Sequence, residues 1–332
     1  MTPMTTKEEV LRLLQSSQGE YISGEDLAQR LNVSRNAVWR AVKALQGEGC
    51  AIEAVTNRGY CLTRTPEALT LAGISRYLPE NGDWDIRVYP TISSTNTVLK
   101  EMAEHGAKEG TILIANEQTA GKGRMSRPFY SPAGTGVYLS FLLRPTFSPQ
   151  KSLYITTAAA VAVAEAIEAV SDKAAMIKWV NDVYLDGKKT CGILTEASFD
   201  MENRQLAYAV LGIGINLREP VGGFPEELRP IVTSVFNDAT YSPDGRDRLV
   251  AELISRFWGF YLHLTDKPFL KSYQERSLLR GRDVYVINGS EKMPAYALDV
   301  DDEFRIHVRY EDGREEWIQS GEISVKPRTN FS

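Results

Sequence analysis

The first 65 residues show two helical patterns of hydrophobic positions, followed by two strand-like patterns. Leu27 and Leu31 lie four residues apart behind Ser23, and the spacing from Ser23 to Asp26 is typical of a capped helix start. A second apolar face at helical spacing follows the turn at 32–34 and comprises Val38, Ala41, Val42 and Leu45. Residues 51–55 and 59–62 then form two strand-like runs around a turn. The pattern predicts a helix-turn-helix with a two-stranded wing.

The other face of the second predicted helix is polar, and we expect it to lie in the major groove of DNA. The candidate DNA-binding residues are Ser34 and Arg35 at the helix start, Asn36, Trp39, Arg40 and Lys43 along the helix, and Arg58 at the wing tip. The alternative is an ordinary three-helix interaction domain whose polar face meets only water. The slight basic bias of residues 1–65 leaves that alternative open.

Between residues 68 and 273, short β-rich runs alternate with two clear helical stretches at 94–104 and 153–170. The strand-like runs are 111–115, 137–143, 176–185, 192–198 and 205–217. Asp186-Gly187 lies between apolar runs and indicates a hairpin, so Lys178 and Lys189 are predicted on paired strands that face one ligand. The pattern favours an α+β fold around a mixed, largely antiparallel sheet.

The last 50 residues contain short alternating runs separated by Asn288-Gly289 and Asp312-Gly313, both of which are turn signals. A small β-barrel is therefore expected at the C-terminus. The predicted domains are 1–65 for the winged helix, 66–275 for the central α+β domain and 276–332 for the small barrel.

Composition narrows the class of protein. The chain has 332 residues, 43% of them hydrophobic, and a net charge of −5, which argues against coating nucleic acid by bulk electrostatics. The best apolar run, 158–164, ends at Glu165 and falls short of the ~20 residues of a membrane span. No membrane association and a cytoplasmic location are therefore expected. Three cysteines and three histidines lack metal-ligand spacing, so a zinc site or a serine triad is a poor fit.

A glycine-punctuated cationic loop at 117–127 is the most informative chemical feature. Gly121 and Gly123 permit close backbone approach to a ligand, while Lys122, Arg124 and Arg127 supply charge for a phosphate or an acyl phosphate. The loop matches neither a Walker A motif nor a dinucleotide fingerprint. Alone, it could be a flexible basic surface turn.

Five motifs in order change that interpretation. They are the cluster Ser94-Thr95-Asn96, the loop 118–127, the run Lys178-Trp179-Val180-Asn181-Asp182, Lys189 before Gly192-Ile193-Leu194, and 212–216. In this order, and along nearly the whole chain, the sequence resembles the biotin protein ligases of the bifunctional kind that also repress the biotin operon. The resemblance implies an SH3-like C-terminal barrel.

The resemblance also implies functions for individual residues. The expected catalytic residues are Lys189, Arg124 and Lys178. The expected biotin-binding residues are Ser94, Thr95, Asn96, Gln118, Lys122, Gly123, Arg124 and Lys189. The expected nucleotide-binding residues are Arg124, Arg127, Phe129, Lys178, Asn181 and Asn216, with Asp182 as a ligand of Mg²⁺. ATP and biotin are the implied substrates. The implied partners are a biotin carboxyl carrier protein, operator DNA and a second copy of the chain in a ligand-dependent homodimer.

Four positions depart from the family pattern. Lys122 stands where arginine is usual, Ser126 where glycine is usual, Phe129 where tryptophan is usual and Val180 where proline is usual. A lysine replaces a bidentate guanidinium by a point charge, so we expect altered affinity with the reaction retained. Two other functions remain open: a lipoate-type protein ligase, and a winged-helix biotin sensor without turnover.

Overall fold

A computed structural model describes residues 5–17, 19–47, 50–64, 69–80, 82–147, 149–200, 205–319 and 323–328. The helices of this part of the chain are α1 (Thr6–Ser16), α2 (Gly24–Leu31), α3 (Arg35–Gly47), α4 (Leu71–Ser75), α5 (Thr95–Glu104), α6 (Leu153–Val170), α7 (Pro243–Leu262) and α8 (Leu270–Glu275). The predicted boundary at 65/66 lies outside the described residues, as do residues 320–322 of the C-terminal run.

The strands of the N-terminal and central regions are β1 (Ala51–Val55), β2 (Gly59–Arg64), β3 (Asp85–Tyr89), β4 (Thr111–Ala115), β5 (Gly136–Leu143), β6 (Met176–Lys178), β7 (Asp182–Leu185), β8 (Lys188–Asp200) and β9 (Gln205–Asn216). Those of the C-terminal region are β10 (Arg282–Asn288), β11 (Glu291–Val300), β12 (Ile306–Tyr310), β13 (Glu315–Ile318) and β14 (Ile323–Pro327).

The predicted helix-turn-helix and wing are confirmed. The Ser23 hydroxyl accepts from the Asp26 amide at 3.0 Å and caps α2, and the Ser34 hydroxyl accepts from the Ala37 amide at 3.1 Å at the start of α3. Strands β1 and β2 pair antiparallel as the wing, and α1, α2, α3 and the wing share one hydrophobic core.

Helix α4 joins this N-terminal core to the rest of the chain. Ala72 is 1% exposed and belongs to the winged-helix core, whereas Leu69 and Ile74 belong to the central core. On the central side, Arg76 forms an ion pair with Asp244 near the start of α7, with 3.3 Å between Nη1 and Oδ1. A helix of five residues therefore packs into two hydrophobic cores at once.

The central domain is built on a seven-stranded sheet with the order β3-β4-β5-β9-β8-β7-β6. Only β3 and β4 pair parallel among the strand pairs of the described residues, and the other pairs are antiparallel, as predicted. Helix α6 is long and apolar enough to span a membrane by length and composition. Its mean hydropathy is 1.6, but 72% of the helix is buried inside the protein, where its alanines pack in the central core.

The predicted strand at 176–185 is wrong in one respect. It is divided into β6 and β7 by a turn at 179–181, which contains a cis peptide between Trp179 and Val180. Lys178 therefore lies on β6 and Lys189 on β8, so the two lysines flank β7 and are not on directly paired strands. The predicted hairpin at Asp186-Gly187 is confirmed between β7 and β8.

The C-terminal strands form a five-stranded antiparallel sheet with the order β13-β12-β11-β10-β14, in agreement with the predicted small β domain. Two hydrogen bonds connect the turn at 179–181 to residues that are distant in sequence. The Trp179 indole N–H donates to the Phe304 carbonyl at 2.8 Å, and the Tyr273 hydroxyl donates to the Val180 carbonyl at 3.2 Å. The C-terminal domain thus helps to hold one wall of the site described next.

Candidate active site

A cavity of about 270 Å³ lies where the cationic loop, the start of α5, the turn between β6 and β7, and strands β8 and β9 meet. The expected catalytic, biotin-binding and metal-binding residues all line it, as do all the expected nucleotide-binding residues except Asn216. The predicted residues that it brings together are Ser94, Thr95, Asn96, Gln118, Lys122, Gly123, Arg124, Arg127, Phe129, Lys178, Asn181, Asp182 and Lys189. Val325 of β14 also lines this cavity. Residues from six separate stretches of the sequence therefore share one site: 94–96, 118–129, 178–182, 189–194, 212–214 and Val325.

The cationic loop is held in a compact conformation by its own backbone. The Gly123 amide donates to the Arg127 carbonyl at 2.7 Å, and the Phe129 amide donates to the Gly121 carbonyl at 2.9 Å. A side chain at Gly121 would collide with Ser131, since an added Cβ would lie 2.6 Å from its Oγ. It would also lie 2.7 Å from the Phe129 carbonyl oxygen, so packing within the loop requires glycine at this position. This reason differs from the one expected from the sequence, which was close approach of the backbone to a ligand.

The three cations of the loop differ in exposure. Lys122 and Arg127 are exposed, whereas Arg124 is half-buried and reaches across the cavity. Its guanidinium donates to the Asn181 side-chain oxygen at 2.9 Å, and Asn181 in turn donates to the Ile193 carbonyl at 2.9 Å. Arg124 thus connects the cationic loop to the turn between β6 and β7.

Lys189 and Asp182 form an ion pair with 2.6 Å between Nζ and Oδ1, and their side chains are 30% and 19% exposed. Asn181 also lies beside this carboxylate, with 3.3 Å between its Nδ2 and Oδ1 of Asp182. Lys178 extends over the ring of Tyr184, with its Nζ 5.7 Å from the ring centroid. Lys189 thus contacts Asp182 directly, whereas Lys178 lies opposite Asp182 in the pairing of β6 with β7 and lines the same cavity.

A chain of polar side chains lies behind the other end of the cavity. The Gln118 side-chain oxygen accepts from the Thr95 amide at 2.9 Å and lies 3.1 Å from the Thr95 hydroxyl. The Ser140 hydroxyl lies 2.7 Å from that of Thr95 and 2.6 Å from Oδ1 of Asn96. The Asn96 amide nitrogen donates to Glu196 at 2.8 Å. All of these groups are buried or half-buried, so the chain is a fixed part of the site.

Ser140 and Glu196 were not among the residues predicted from sequence. Ser140 is fully buried in β5, where the signal was a single serine in the otherwise hydrophobic run 136–143. Burial raises the pKa of Glu196, but hydrogen bonds from Lys100 and Asn96 outweigh it and hold that pKa below its usual value. Glu196 is therefore a carboxylate at neutral pH.

A second cavity of about 890 Å³ adjoins the first and shares Gln118, Pro128, Phe129 and Lys189 with it. Asn216 lines this second cavity, where its side-chain amide donates to the Thr233 carbonyl at 3.2 Å. The segment 224–232 forms the opposite wall. The predicted nucleotide residues Phe129 and Asn216 therefore line one cavity, which meets the polar chain at Gln118.

Phe129 lies over two glycines that face each other across strands β8 and β9. A Cβ built on Gly214 would lie 2.4 Å from the Phe129 ring, and one built on Gly192 would lie 3.2 Å from it. The absence of side chains at both positions is therefore what admits the aromatic ring between the two cavities.

The donor set permits Mg²⁺ only with help from a substrate. Within the described ranges, no three histidine, cysteine, aspartate or glutamate side chains come together as a metal site. Asp182 is the carboxylate that lines the cavity in this part of the chain. Mg²⁺ commonly binds to one or two carboxylates together with substrate phosphates and water, so Asp182 fits that kind of site.

Each of the candidate DNA-binding residues of the winged helix is exposed to solvent. The exposed residues are Ser34, Arg35, Asn36, Trp39, Arg40, Lys43 and Arg58, and Trp39 is 50% exposed. Arg35 forms an ion pair with Glu25 at 3.5 Å. The Arg58 guanidinium lies over the ring of Tyr21, 4.1 Å from its centroid. These contacts orient Arg35 at the start of α3 and Arg58 in the turn between β1 and β2.

Two family models match the chain. Residues 88–216 match the biotin/lipoate A/B protein ligase family, and residues 6–61 match a helix-turn-helix domain. The ligase match spans every candidate active-site residue listed above except Val325. The helix-turn-helix match spans the three N-terminal helices and most of the wing.

Comparisons with individual proteins agree with both matches. The chain is 39% identical over 232 residues to the bifunctional ligase/repressor BirA of Bacillus spizizenii, covering 70% of this chain and 71% of that protein. It is 28% identical to the protein of that name in Escherichia coli, covering 93% and 94%. A solved structure of biotin protein ligase from Aquifex aeolicus in complex with biotin and ATP superposes with a TM-score of 0.62 at 26% identity, covering 73% of this chain and 99% of that one. With its helix-turn-helix and its ligase domain, the chain belongs to the family of bifunctional biotin ligases and repressors.

Proposed function

We propose that this protein activates biotin with ATP, transfers it to a lysine of a biotin carboxyl carrier protein, and uses its winged helix for biotin-responsive repression. The acceptor would be the carrier domain of acetyl-CoA carboxylase or of another biotin-dependent carboxylase. The observation that carries the enzymatic half is the convergence of Lys189, Arg124 and Lys178 on one cavity that also contains a buried polar pocket. Cations at one end and neutral hydrogen-bonding groups at the other match a ligand with a carboxylate and a ureido ring.

The polar end would hold the ureido ring. Ser94, Thr95 and Asn96 are buried at the start of α5, and Gln118 contacts Thr95 from the opposite side. Buried neutral donors and acceptors favour a ligand that satisfies them over one that leaves them unpaired. The carboxylate of biotin would then extend toward Lys189 and the cationic loop, with Lys122 and Gly123 along its path.

The charged end would promote adenylation. A carboxylate does not form an amide with an amine at neutral pH without activation. A carboxylate oxygen of biotin attacks the α-phosphorus of ATP, a new P–O bond forms, and the bond to the departing pyrophosphate breaks. Lys189 and Arg124 would neutralise the two anions that meet in this step, and Lys178 the departing phosphates. The adenine of ATP would lie in the second cavity, against Phe129 and Asn216. Arg127 would lie near the phosphates of ATP.

Asp182 is the residue that would hold Mg²⁺, with Asn181 behind it. The bound ion would supply positive charge to the leaving pyrophosphate. Lys189 contacts Asp182 at 2.6 Å, so the same lysine would lie between this carboxylate and the carboxylate of biotin. In the second step the acceptor lysine attacks the acyl carbon and AMP leaves.

We assign the two activities to separate domains, 1–65 for DNA binding and 66–275 for ligation, with 276–332 as a supporting small β domain. We propose that the protein acts in the cytoplasm. Ligand binding at the cationic loop would favour a homodimer, and the paired winged helices would then contact a two-fold symmetric operator through Asn36, Arg40 and Lys43. A ligand can shift this equilibrium only as far as its affinities for the two states differ.

One experiment tests the enzymatic half directly. The purified protein should release pyrophosphate with ATP, Mg²⁺ and biotin, and much less with lipoate in place of biotin. Preference for lipoate would indicate a lipoate-type ligase, and binding of biotin without pyrophosphate release would indicate a sensor. For the regulatory half, footprinting on operator DNA should show protection that strengthens when biotin and ATP are both present.

A further inference from the structure

We infer that Ser140 and Glu196 fix the direction of the hydrogen bonds around the biotin pocket, so that Thr95 and Gln118 present two acceptors to one ureido N–H of the ligand. The inference rests on the proposed function and adds specificity to it. Neither Ser140 nor Glu196 lines the cavity, so both act as positioning residues through their neighbours.

The first end of the chain is fixed by Ser131. Its hydroxyl donates to the Phe129 carbonyl at 2.9 Å, and its lone pair accepts from the Gln118 amide nitrogen at 3.2 Å. The amide of Gln118 can therefore point only one way, with its oxygen toward Thr95. That oxygen already accepts from the Thr95 backbone N–H at 2.9 Å.

The second end is fixed by Glu196. The Asn96 amide nitrogen donates to one carboxylate oxygen at 2.8 Å, while Lys100 donates to the other at 2.7 Å. A flipped Asn96 amide would place its oxygen against an anion, which is repulsive. The Asn96 oxygen therefore points to Ser140, at 2.6 Å. Both ends of the chain thus present acceptors.

The number of hydroxyl protons then determines the direction of the hydrogen bonds between Gln118 and Asn96. The three oxygen–oxygen contacts measure 3.1 Å for Gln118 to Thr95, 2.7 Å for Thr95 to Ser140 and 2.6 Å for Ser140 to Asn96. The two hydroxyls supply only two protons. The Asn96 oxygen can only accept, so the 2.6 Å contact takes the Ser140 proton, and the 2.7 Å contact then takes the Thr95 proton. The longest contact, at 3.1 Å to Gln118, is therefore the one left without a proton. Thr95 therefore donates to Ser140, and Ser140 donates to Asn96.

This direction leaves acceptors at the cavity. The Thr95 hydroxyl donates its proton to Ser140, so it can only accept a hydrogen bond from a ligand. The Gln118 side-chain oxygen has no proton and can likewise only accept. A ring N–H placed between these two oxygens would satisfy both. A ring oxygen in the same place would face two acceptors and gain no hydrogen bond, which a buried polar site rejects strongly.

The test uses two cyclic-carbamate analogues of biotin, each with a ring oxygen in place of one ureido N–H. Calorimetry would give the ratio of affinities for biotin and for the weaker-binding analogue. Glu196→Gln lets the Asn96 amide turn, which reverses the direction of donation through Ser140 and Thr95. We expect the ratio to fall about tenfold, as one misdirected buried hydrogen bond predicts. Ser140→Ala should lower it as well, because Thr95 loses its inward acceptor.

The matched control is Lys100→Met. Like Glu196→Gln, it removes the ion pair between Lys100 and Glu196, but it leaves the hydrogen bond from Asn96 to Glu196 that orients the Asn96 amide. It should keep the ratio close to that of the unchanged protein. A purely electrostatic role for Glu196 would make the Lys100 and Glu196 variants alike, and that result would overturn the inference. So would an unchanged ratio in folded Glu196→Gln, whatever the fate of Ser140→Ala.

The outcomes also separate this inference from the proposed function. If the unchanged protein binds biotin and releases pyrophosphate while the affinity ratios stay constant across the variants, only the inference fails. If the unchanged protein neither binds biotin nor releases pyrophosphate, both fail together. A fall in the ratio with unaltered KM for ATP supports an effect confined to the ureido end.

Discussion

Arg124→Gly should turn a ligase that retains its intermediate into one that releases it. The Arg124 guanidinium spans the cavity to Asn181 at 2.9 Å, and Asn181 is only 9% exposed. Arg124 lies in a short 3₁₀ turn, Arg124–Ser126, so its removal deletes the contact by which this part of the loop holds the opposite wall. The change leaves the hydrophobic core intact, and we expect the variant to fold.

The magnitude follows from the type of contact. A hydrogen bond to a charged group contributes about 1.5–3 kcal/mol, which corresponds to roughly 10- to 100-fold faster release of the adenylate if the contact persists in the complex. Biotinyl adenylate is a mixed anhydride that acylates exposed lysines without selectivity. The variant incubated with biotin, ATP and serum albumin should therefore biotinylate the albumin, which a blot for biotin detects.

Two further variants sharpen this assay. Arg124→Lys keeps a positive charge but not the planar guanidinium, so albumin labelling should be intermediate. Asn181→Ala keeps Arg124 and removes its partner, and it should also increase labelling. Sustained pyrophosphate release by Arg124→Gly with albumin left unlabelled would refute the reasoning, because the adenylate would then be retained by other groups.

The other predictions concern catalysis, metal, stability and DNA. Lys189→Ala should abolish pyrophosphate release in a protein that unfolds at nearly the normal temperature, since this lysine contributes little to the core; near-normal release would exclude its assigned role. Asp182→Asn should raise the Mg²⁺ concentration for half-maximal release roughly tenfold, as a Mg²⁺ titration would measure. Burial raises the pKa of Asp247 to about 6, so the folded chain keeps a proton that the unfolded chain loses near pH 4. The stability of the protein relative to Asp247→Asn should therefore fall from about pH 4 to 6, as urea unfolding would show. Arg40→Ala with Lys43→Ala should weaken operator protection and leave pyrophosphate release unchanged.

The sequence predicted the elements whose signals are local. The cap at Ser34, the turn at Asp186-Gly187 and the helix at 153–170 each depend on neighbouring residues, and each is found where the pattern placed it. The polar residues of the short motifs also line one cavity, and their roles in binding and catalysis stay predictions. Local chemistry therefore accounts for most of the architecture.

Features that depend on distant contacts escaped prediction. The division of 176–185 into β6 and β7 is supported by Tyr273 and Phe304, which lie about a hundred residues further along the chain. Ser140 and Glu196 acquire their positioning role only because β5 and β8 both flank β9 in the sheet. A pattern of hydrophobic positions carries no information about such long-range partners, and the polar residues involved look ordinary in their own strands.

Helix α4 restricts how this protein can evolve. Because Ala72 is enclosed by the winged-helix core while Leu69 and Ile74 are enclosed by the central one, neither half can be exchanged without regard to the other. A fragment that starts at Leu69 would retain the residues that its own core needs but would leave Ala72 bare to water. A different winged-helix domain could replace residues 1–65 only if its surface packed against Ala72 of this helix. The segment that joins the two cores thus lies between the two family matches, outside both of them.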